Sequence, residues 1–290
     1  VTRTRPAVPA PALVLLAIAS VQLGGALAAT LLPAVGVAGS VALRLSIAAL
    51  LLLAYARPRL RGRTRLDWVT VASYAASLGL MNFAFYAALQ RLPIGVTVTI
   101  EFVGPLLLAA ASSRRRPDLA AVGVAAAGVV LVSGALDTSW SDLDLVGLAL
   151  ALLAGVCWAG YIVTSARTGA RFDGLDGIAV AMLLAAAVIA PWGLVSAGAG
   201  LLDGEVLLKG AGIALLSSVV PYSLELIALR TLRANVFGIL LSLEPAAAAV
   251  AGLVVLGQTL TPVRLVGMAL VVIASGVVLS GRRTSTPPEG

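Results

Sequence analysis

The chain has no histidine and a single cysteine, and only 11% of its residues are charged. The missing histidines exclude a histidine-based metal site and every catalytic triad built on imidazole. Cys157 has no second cysteine to pair with, so no internal disulfide forms, and it reads as a small apolar packing residue. Soluble domains carry roughly a quarter charged residues, and this chain falls far below that. Aromatic residues are also few, at 5%. No GxxxxGK[ST] loop occurs, so nothing points to ATP-driven work. No pair of aspartates lies in an apolar run, so the usual hydrolytic constellations of intramembrane enzymes are missing. No cofactor is implied, and the chain does not read as an enzyme.

What is present is apolar. Hydrophobic residues make up 60% of the 290, more than one aqueous core can bury. The chain is therefore expected to be an all-α polytopic membrane protein. A span needs about 20 apolar residues, and that ruler finds ten: 11–32, 36–55, 68–89, 94–112, 118–135, 145–166, 176–198, 208–229, 234–255 and 262–280. The first is long enough to span and lacks a convincing cleavage site, which favours a retained helix over a signal peptide. The ending TSTPPEG reads as a short disordered tail.

The net charge of +7 does not form a patch for nucleic acid. The basic residues sit in short clusters between apolar runs, which is an orientation signal. With the N-terminus inside, Arg3, Arg5, Arg57, Arg59, Arg61, Arg63, Arg65, Arg114, Arg115, Arg116, Arg167, Arg171, Arg230, Arg233, Arg282 and Arg283 all fall on the inner side. These are 16 of the 20 basic residues. Arg91, Lys209 and Arg264 fall outside with the acidic loop Asp137, Asp142 and Asp144. Ten spans then place both termini in the cytoplasm. The Arg57–Arg65 run either fixes topology alone or also binds anionic lipid.

The halves echo each other at a shift of 140 residues: Ala88-Leu89 falls on Ala228-Leu229 and Pro105 on Pro245. Each half has five spans, an odd number, so the halves enter the membrane in opposite senses. The expected organisation is a first five-helix repeat over 1–140, a second over 141–281, and a tail over 282–290. Inverted repeats are a recurrent build of secondary transporters, with the substrate site between them.

Four ionisable residues lie at membrane depth: Arg44, Glu101, Glu225 and Glu244. Such residues mark functional sites by default. Glu101 and Pro105 stand four apart on one helical face, with Thr97 a turn earlier. Pro105 removes the amide that would have bonded the Glu101 carbonyl. Pro245 directly follows Glu244, and Pro221 precedes Glu225 by four. Ser218, Tyr222 and Glu225 share a face, as do Asn82, Tyr86 and Gln90, and Gln22 adds an amide in the first span. Together these residues are expected to line a water-accessible cavity whose carboxylates bind an ammonium group, carry a proton, or do both. The plainer alternative is that Arg44 pairs with one glutamate and holds helices together, yet one arginine cannot neutralise three carboxylates. Gly24, Gly25, Gly123, Gly128, Gly252 and Gly267 read as close-packing positions. Trp68, Trp140 and Trp192 read as interfacial anchors.

The segments NFAFYAALQRLPIGVTVTIEFVGPL (Asn82–Leu106) and PYSLELIALRTLRANVFGILLSLEPAAAAVAGLVVLGQTLTP (Pro221–Pro262) resemble the EamA-type drug/metabolite transporters. So do SVQLGGALA (Ser20–Ala28) and VALRLSIAAL around Arg44, and the resemblance is strongest to the threonine/homoserine exporter branch of the bacterial inner membrane. It implies ten helices in two inverted five-helix repeats, a central cavity, and export of small amino acids by proton antiport. Gln258 departs from the pattern, standing where many relatives carry glutamate. The partners implied are a small-molecule substrate, protons and membrane lipid. Oligomeric state is not readable, and a homodimer stays open. The competing readings are an exporter of another metabolite or drug, a passive facilitator, which would need no titrating carboxylate, and a sensor, which would be expected to carry a soluble domain.

Overall fold

A computed structural model describes residues 8–137, 139, 143–256 and 261–283. Arg3, Arg5, Trp140, Asp142, Gln258 and the tail from 284 lie outside the described residues, as does the side-chain environment of Gly252. Every regular element among the described residues is helical. They are α1 (Ala10–Ala56), α2 (Arg65–Leu89), α3 (Ile94–Ser112), α4 (Arg116–Ser133), α5 (Leu145–Arg171), α6 (Asp176–Ala197), α7 (Gly204–Ala214), α8 (Val220–Leu229), α9 (Ala234–Leu241), α10 (Glu244–Leu256) and α11 (Pro262–Arg283).

Eight helical stretches among the described residues are long and apolar enough to cross a membrane, and two shorter apolar ones, Ala10–Gly25 and Ala234–Val250, fall in the first and ninth predicted spans. The first two predicted spans are one helical run, α1, of 47 residues. A straight helix of that length would extend about 70 Å, more than twice the roughly 30 Å of a bilayer core. The run is broken at Gly36, whose φ of 65° and ψ of −177° leave helical space. A side chain at that φ is strained, so glycine is required there. Pro33, three residues earlier, removes a further helical hydrogen bond.

α7 and α8 form one continuous stretch through a π-helical turn, Leu215–Val219. The predicted span 234–255 is, by contrast, interrupted. Between α9 and α10 the amides of Ser242 and Leu243 bond back three residues, to Ile239 and Leu240, at 3.1 Å each. The Ser242 hydroxyl donates to the same Ile239 carbonyl at 2.6 Å, and Ser275 of α11 donates to it at 3.5 Å. Glu244 and Pro245 therefore open a new helix, where proline is tolerated.

The chain divides into two compact units: Val1–Tyr86 with Gly160–Leu232, and Ala87–Ala159 with Arg233–Gly290. Each takes residues from both predicted repeats. In the first unit α1 packs on α6, α7 and α8, around a core that includes Leu31, Leu43, Leu201 and Ile213. In the second, α4 packs on α11 and α3 on α4 and α9. Gly128 and Gly267 let α4 and α11 meet: a Cβ on either would lie 2.8 Å from the other's carbonyl oxygen. Gly24 is as confined, since a Cβ there would come within 3 Å of the Ser217 backbone. Gly25 and Gly123 do not serve this purpose, because a Cβ at either meets nothing within 4 Å.

Polar loops close the helix ends of the first unit. Thr64 and Asp67 start α2 with a reciprocal cap, Thr64 N–H donating to Asp67 at 2.9 Å and Asp67 N–H to the Thr64 hydroxyl at 3.2 Å. Arg171 reaches Asp67 at 2.8 Å. Arg63 ties the Arg57–Arg65 run to the α5–α6 connection: it lies 3.6 Å from Asp176, donates to the Arg171 carbonyl at 3.0 Å, and stacks 4.4 Å over Phe172. Arg57, Arg59, Arg61 and Arg65 of the same run are exposed. Trp68 is 41% exposed at the start of α2, whereas Trp192 packs edge-on against Phe83 at 5.2 Å.

Candidate functional site

In the first unit four elements converge on one polar cluster. Arg44 of α1, a buried residue, donates through Nη2 to Asn82 Oδ1 and through Nη1 to the Tyr86 hydroxyl at 3.3 Å. Its guanidinium also lies 5.5 Å from the centre of the Tyr86 ring. Both partners come from α2 and stand four residues apart, so one helical face presents them together. The Asn82 amide donates to the Leu78 carbonyl at 2.8 Å and to the Tyr222 hydroxyl of α8 at 3.4 Å. The Tyr222 ring tilts against Tyr161 of α5 at 5.5 Å, and Tyr161 packs on Tyr74 of α2 at the same separation. The Tyr161 hydroxyl donates to Glu225 Oε2 at 2.7 Å.

Glu225 therefore has a partner, and in its own unit that partner is tyrosine rather than arginine. An arginine–glutamate pair bracing this unit, one of the two sequence readings, is not what forms. Tyr161 and Tyr74 were missed from the sequence. Both are fully buried, and their signal was rarity: each is one of only five tyrosines and sits mid-span, where tyrosine is normally interfacial. Ser218, fully buried, lies one turn before Tyr222 in the π-helical turn, and its hydroxyl has no partner among the described residues. Pro221 opens α8 beside it. Gln22 is half-buried in α1, and the nearby Ser20 hydroxyl donates to the Leu216 carbonyl at 2.6 Å, across to the π-helical turn. Gln90, the last of the predicted stripe, is exposed.

The second unit holds the other two glutamates. Glu101 is buried in α3, only 8% exposed, and no donor among the described residues reaches its carboxylate. Pro105 is buried four residues on. The Glu101 carbonyl that Pro105 frees is covered by α5: a Cβ on Gly155 would stand 2.6 Å from its oxygen. At the same crossing a Cβ on Gly104 would stand 1.8 Å from the Gly155 carbonyl oxygen. The two helices thus meet backbone to backbone, and Phe102 locks edge-on against Trp158 at 4.8 Å. The sequence placed the carboxylate and the freed carbonyl side by side; the carbonyl is in fact committed to helix packing. Thr97 is fully buried and donates to the Pro93 carbonyl at 3.2 Å. Glu244 is half-buried at the start of α10, followed by the buried Pro245.

A further buried pair in this unit was not foreseen. Asn235 of α9 donates to Asp118 of α4 at 3.1 Å, with both side chains buried. Among the described residues no group of three or more Cys, Asp or Glu side chains could hold a metal ion.

Residues 145–280 match the model of the EamA-like transporter family. The chain is 42% identical over 278 residues to the threonine/homoserine exporter RhtA of Escherichia coli K12, covering 96% of this chain and 94% of that protein. It is 43% identical over 275 residues to the threonine/homoserine exporter RhtA of Salmonella typhimurium LT2, covering 94% of this chain and 92% of that protein. A crystal structure 22% identical in sequence superposes with a TM-score of 0.77, covering 96% of this chain and 99% of the other. That likeness shows the fold alone.

Proposed function

Because the chain belongs to the EamA-like transporter family, near its threonine/homoserine exporter branch, we propose that it exports small amino acids, threonine and homoserine among them, from the bacterial cytoplasm across the inner membrane. The observation that carries the reading is identity of 42% sustained along 96% of the chain. The transporter is a multi-pass protein of ten helices in two inverted five-helix repeats, with both termini cytoplasmic. The drive is proton antiport.

Cargo and proton share the intramembrane polar residues. A zwitterion needs an anion for its ammonium group and a cation for its carboxylate, and Glu225 and Arg44 stand in one cluster. Glu101 carries the coupling proton, since a buried carboxyl group that meets no donor or counter-ion among the described residues is a proton-binding group at membrane depth. Glu244 is its counterpart in the other repeat, beside the α9–α10 interruption. Gln22, Ser218 and Tyr222 supply neutral polar surface in the first unit beside Pro221, and Thr97 does so in the second, whose helices carry Pro105 and Pro245.

Cells overproducing the protein are expected to tolerate higher external threonine or homoserine than empty-vector cells. Glu101→Gln, expressed at the same level, keeps size and hydrogen bonding but cannot titrate. It is expected to lose export driven by a pH gradient while retaining exchange of substrate for substrate. Intact pH-driven export in that variant moves the proton role to Glu225. Failure to export any member of a broad amino-acid panel overturns the substrate class.

A further inference from the structure

Arg44 is the only basic side chain among the described residues that is buried. An uncompensated buried charge is costly, and breaking up a buried ion pair commonly destabilises a protein by several kcal/mol. The economical arrangement would join Arg44 to the carboxylate of its own cluster. Instead Glu225 is held by Tyr161 at 2.7 Å. Among the described residues Arg44 meets only neutral acceptors, the Asn82 amide oxygen and the Tyr86 hydroxyl, and its buried Nε has no partner. Asn82 and Tyr222 intervene, linked at 3.4 Å. The cluster thus keeps a cation and an anion apart with polar groups between them.

From this we infer that Arg44, positioned by Asn82 and Tyr86, is the carboxylate-recognising subsite of the transporter, and that cargo must present a free carboxylate to it. The inference rests on the amino-acid exporter reading and narrows it. A guanidinium offers planar, paired donors that match a carboxylate's two oxygens, and no lysine can reproduce that fork. The unpartnered Nε and the Nη group beside it form one such edge. A carboxylate is a stronger acceptor than the neutral Asn82 amide, so it takes over that contact. Asn82 does not lose its place, because its own amide stays bonded to Leu78 and Tyr222. Compounds that keep the amine but lack a free carboxylate, such as threoninol or homoserine lactone, are therefore excluded.

The test uses full-length protein in inverted vesicles and, purified, in detergent. Labelled threonine transport is challenged with threonine, homoserine, threoninol and homoserine lactone, while thermal unfolding is followed with the same compounds. For wild type, threoninol and the lactone are expected to compete roughly ten- to a hundredfold less well than threonine, the range spanned by losing a hydrogen bond to a charged group. Arg44→Gln is expected to raise KM for threonine far more than it lowers kcat and to lose thermal stabilisation by threonine; Arg44→Lys recovers part of both. Equal competition by threonine and threoninol overturns the subsite while leaving the exporter standing. So does a folded Arg44→Gln with unchanged KM. If wild-type vesicles move no amino acid, the exporter reading fails, and thermal unfolding decides the subsite alone. Stabilisation of wild type by threonine but not by threoninol, weaker in Arg44→Lys, supports it, and no stabilisation overturns it. If Arg44→Gln does not fold, Arg44→Lys and the wild-type analogue ranking decide in the same way.

Discussion

Tyr161 is central to the first unit's polar cluster, because its hydroxyl makes a short hydrogen bond to Glu225 while its ring contacts both Tyr74 and Tyr222. Removing that hydroxyl leaves a buried acceptor with no replacement, which costs about 1–3 kcal/mol. Tyr161→Phe is therefore expected to lower the thermal unfolding midpoint measurably. Tyr222→Phe is expected to matter less, since its contact with Asn82 is long, at 3.4 Å. Combining Tyr161→Phe with Glu225→Gln isolates the coupling: the double variant should lose less than the sum of the two single losses. Additive losses would mean that the hydrogen bond contributes nothing to stability.

At the scale of elements, the crossing of α3 and α5 is set by absent side chains. A methyl group at Gly104 would sit inside the Gly155 carbonyl, at 1.8 Å, and backbone cannot yield as a flexible side chain can. Gly104→Ala is expected to destabilise by about 1–3 kcal/mol or more, the usual range for overpacking, seen as reduced folded yield on size exclusion. Gly123→Ala is the matched control. A Cβ there meets nothing within 4 Å, so it should leave stability unchanged or add up to about 1 kcal/mol of helix propensity. Gly36→Ala should be harmful for a different reason, since its cost lies in the positive φ of the α1 break rather than in space. An equal response of all three glycines would refute this division.

For the whole molecule the open quantity is orientation. The arginine asymmetry predicts that the Arg57–Arg65 run faces the cytoplasm and Ser139 faces out. Single cysteines at Leu60 and Ser139, in a Cys157→Ser background, can be exposed to an impermeant thiol reagent in intact spheroplasts. Both positions are exposed, so accessibility from one side alone decides labelling. Ser139→Cys is expected to react and Leu60→Cys to stay unreacted until the membrane is opened. The reverse pattern would invert the orientation and place both termini outside.

The sequence by itself determined the class of this protein and much of its layout. Long apolar runs, the proline and glycine punctuation between them, and the scarcity of charge are local properties, and each can be read without knowing what lies opposite. Glu101, Glu225 and Arg44 stood out for the same reason, since a charge in an apolar run needs no partner to be noticed. Tertiary structure alone decided the partners. A helix that is apolar on every face gives no sign of which face turns inward, so nothing local said that Glu225 would take Tyr161 and leave Arg44 to Asn82 and Tyr86. The break between the first two predicted spans falls at Gly36, where the sequence divides them. The interruption before Glu244 escaped for a related reason, since it depends on two serine hydroxyls converging on the Ile239 carbonyl. Pairings across 38 to 140 residues of sequence, such as Arg44–Asn82 and Asn82–Tyr222, exist only once the helices have packed.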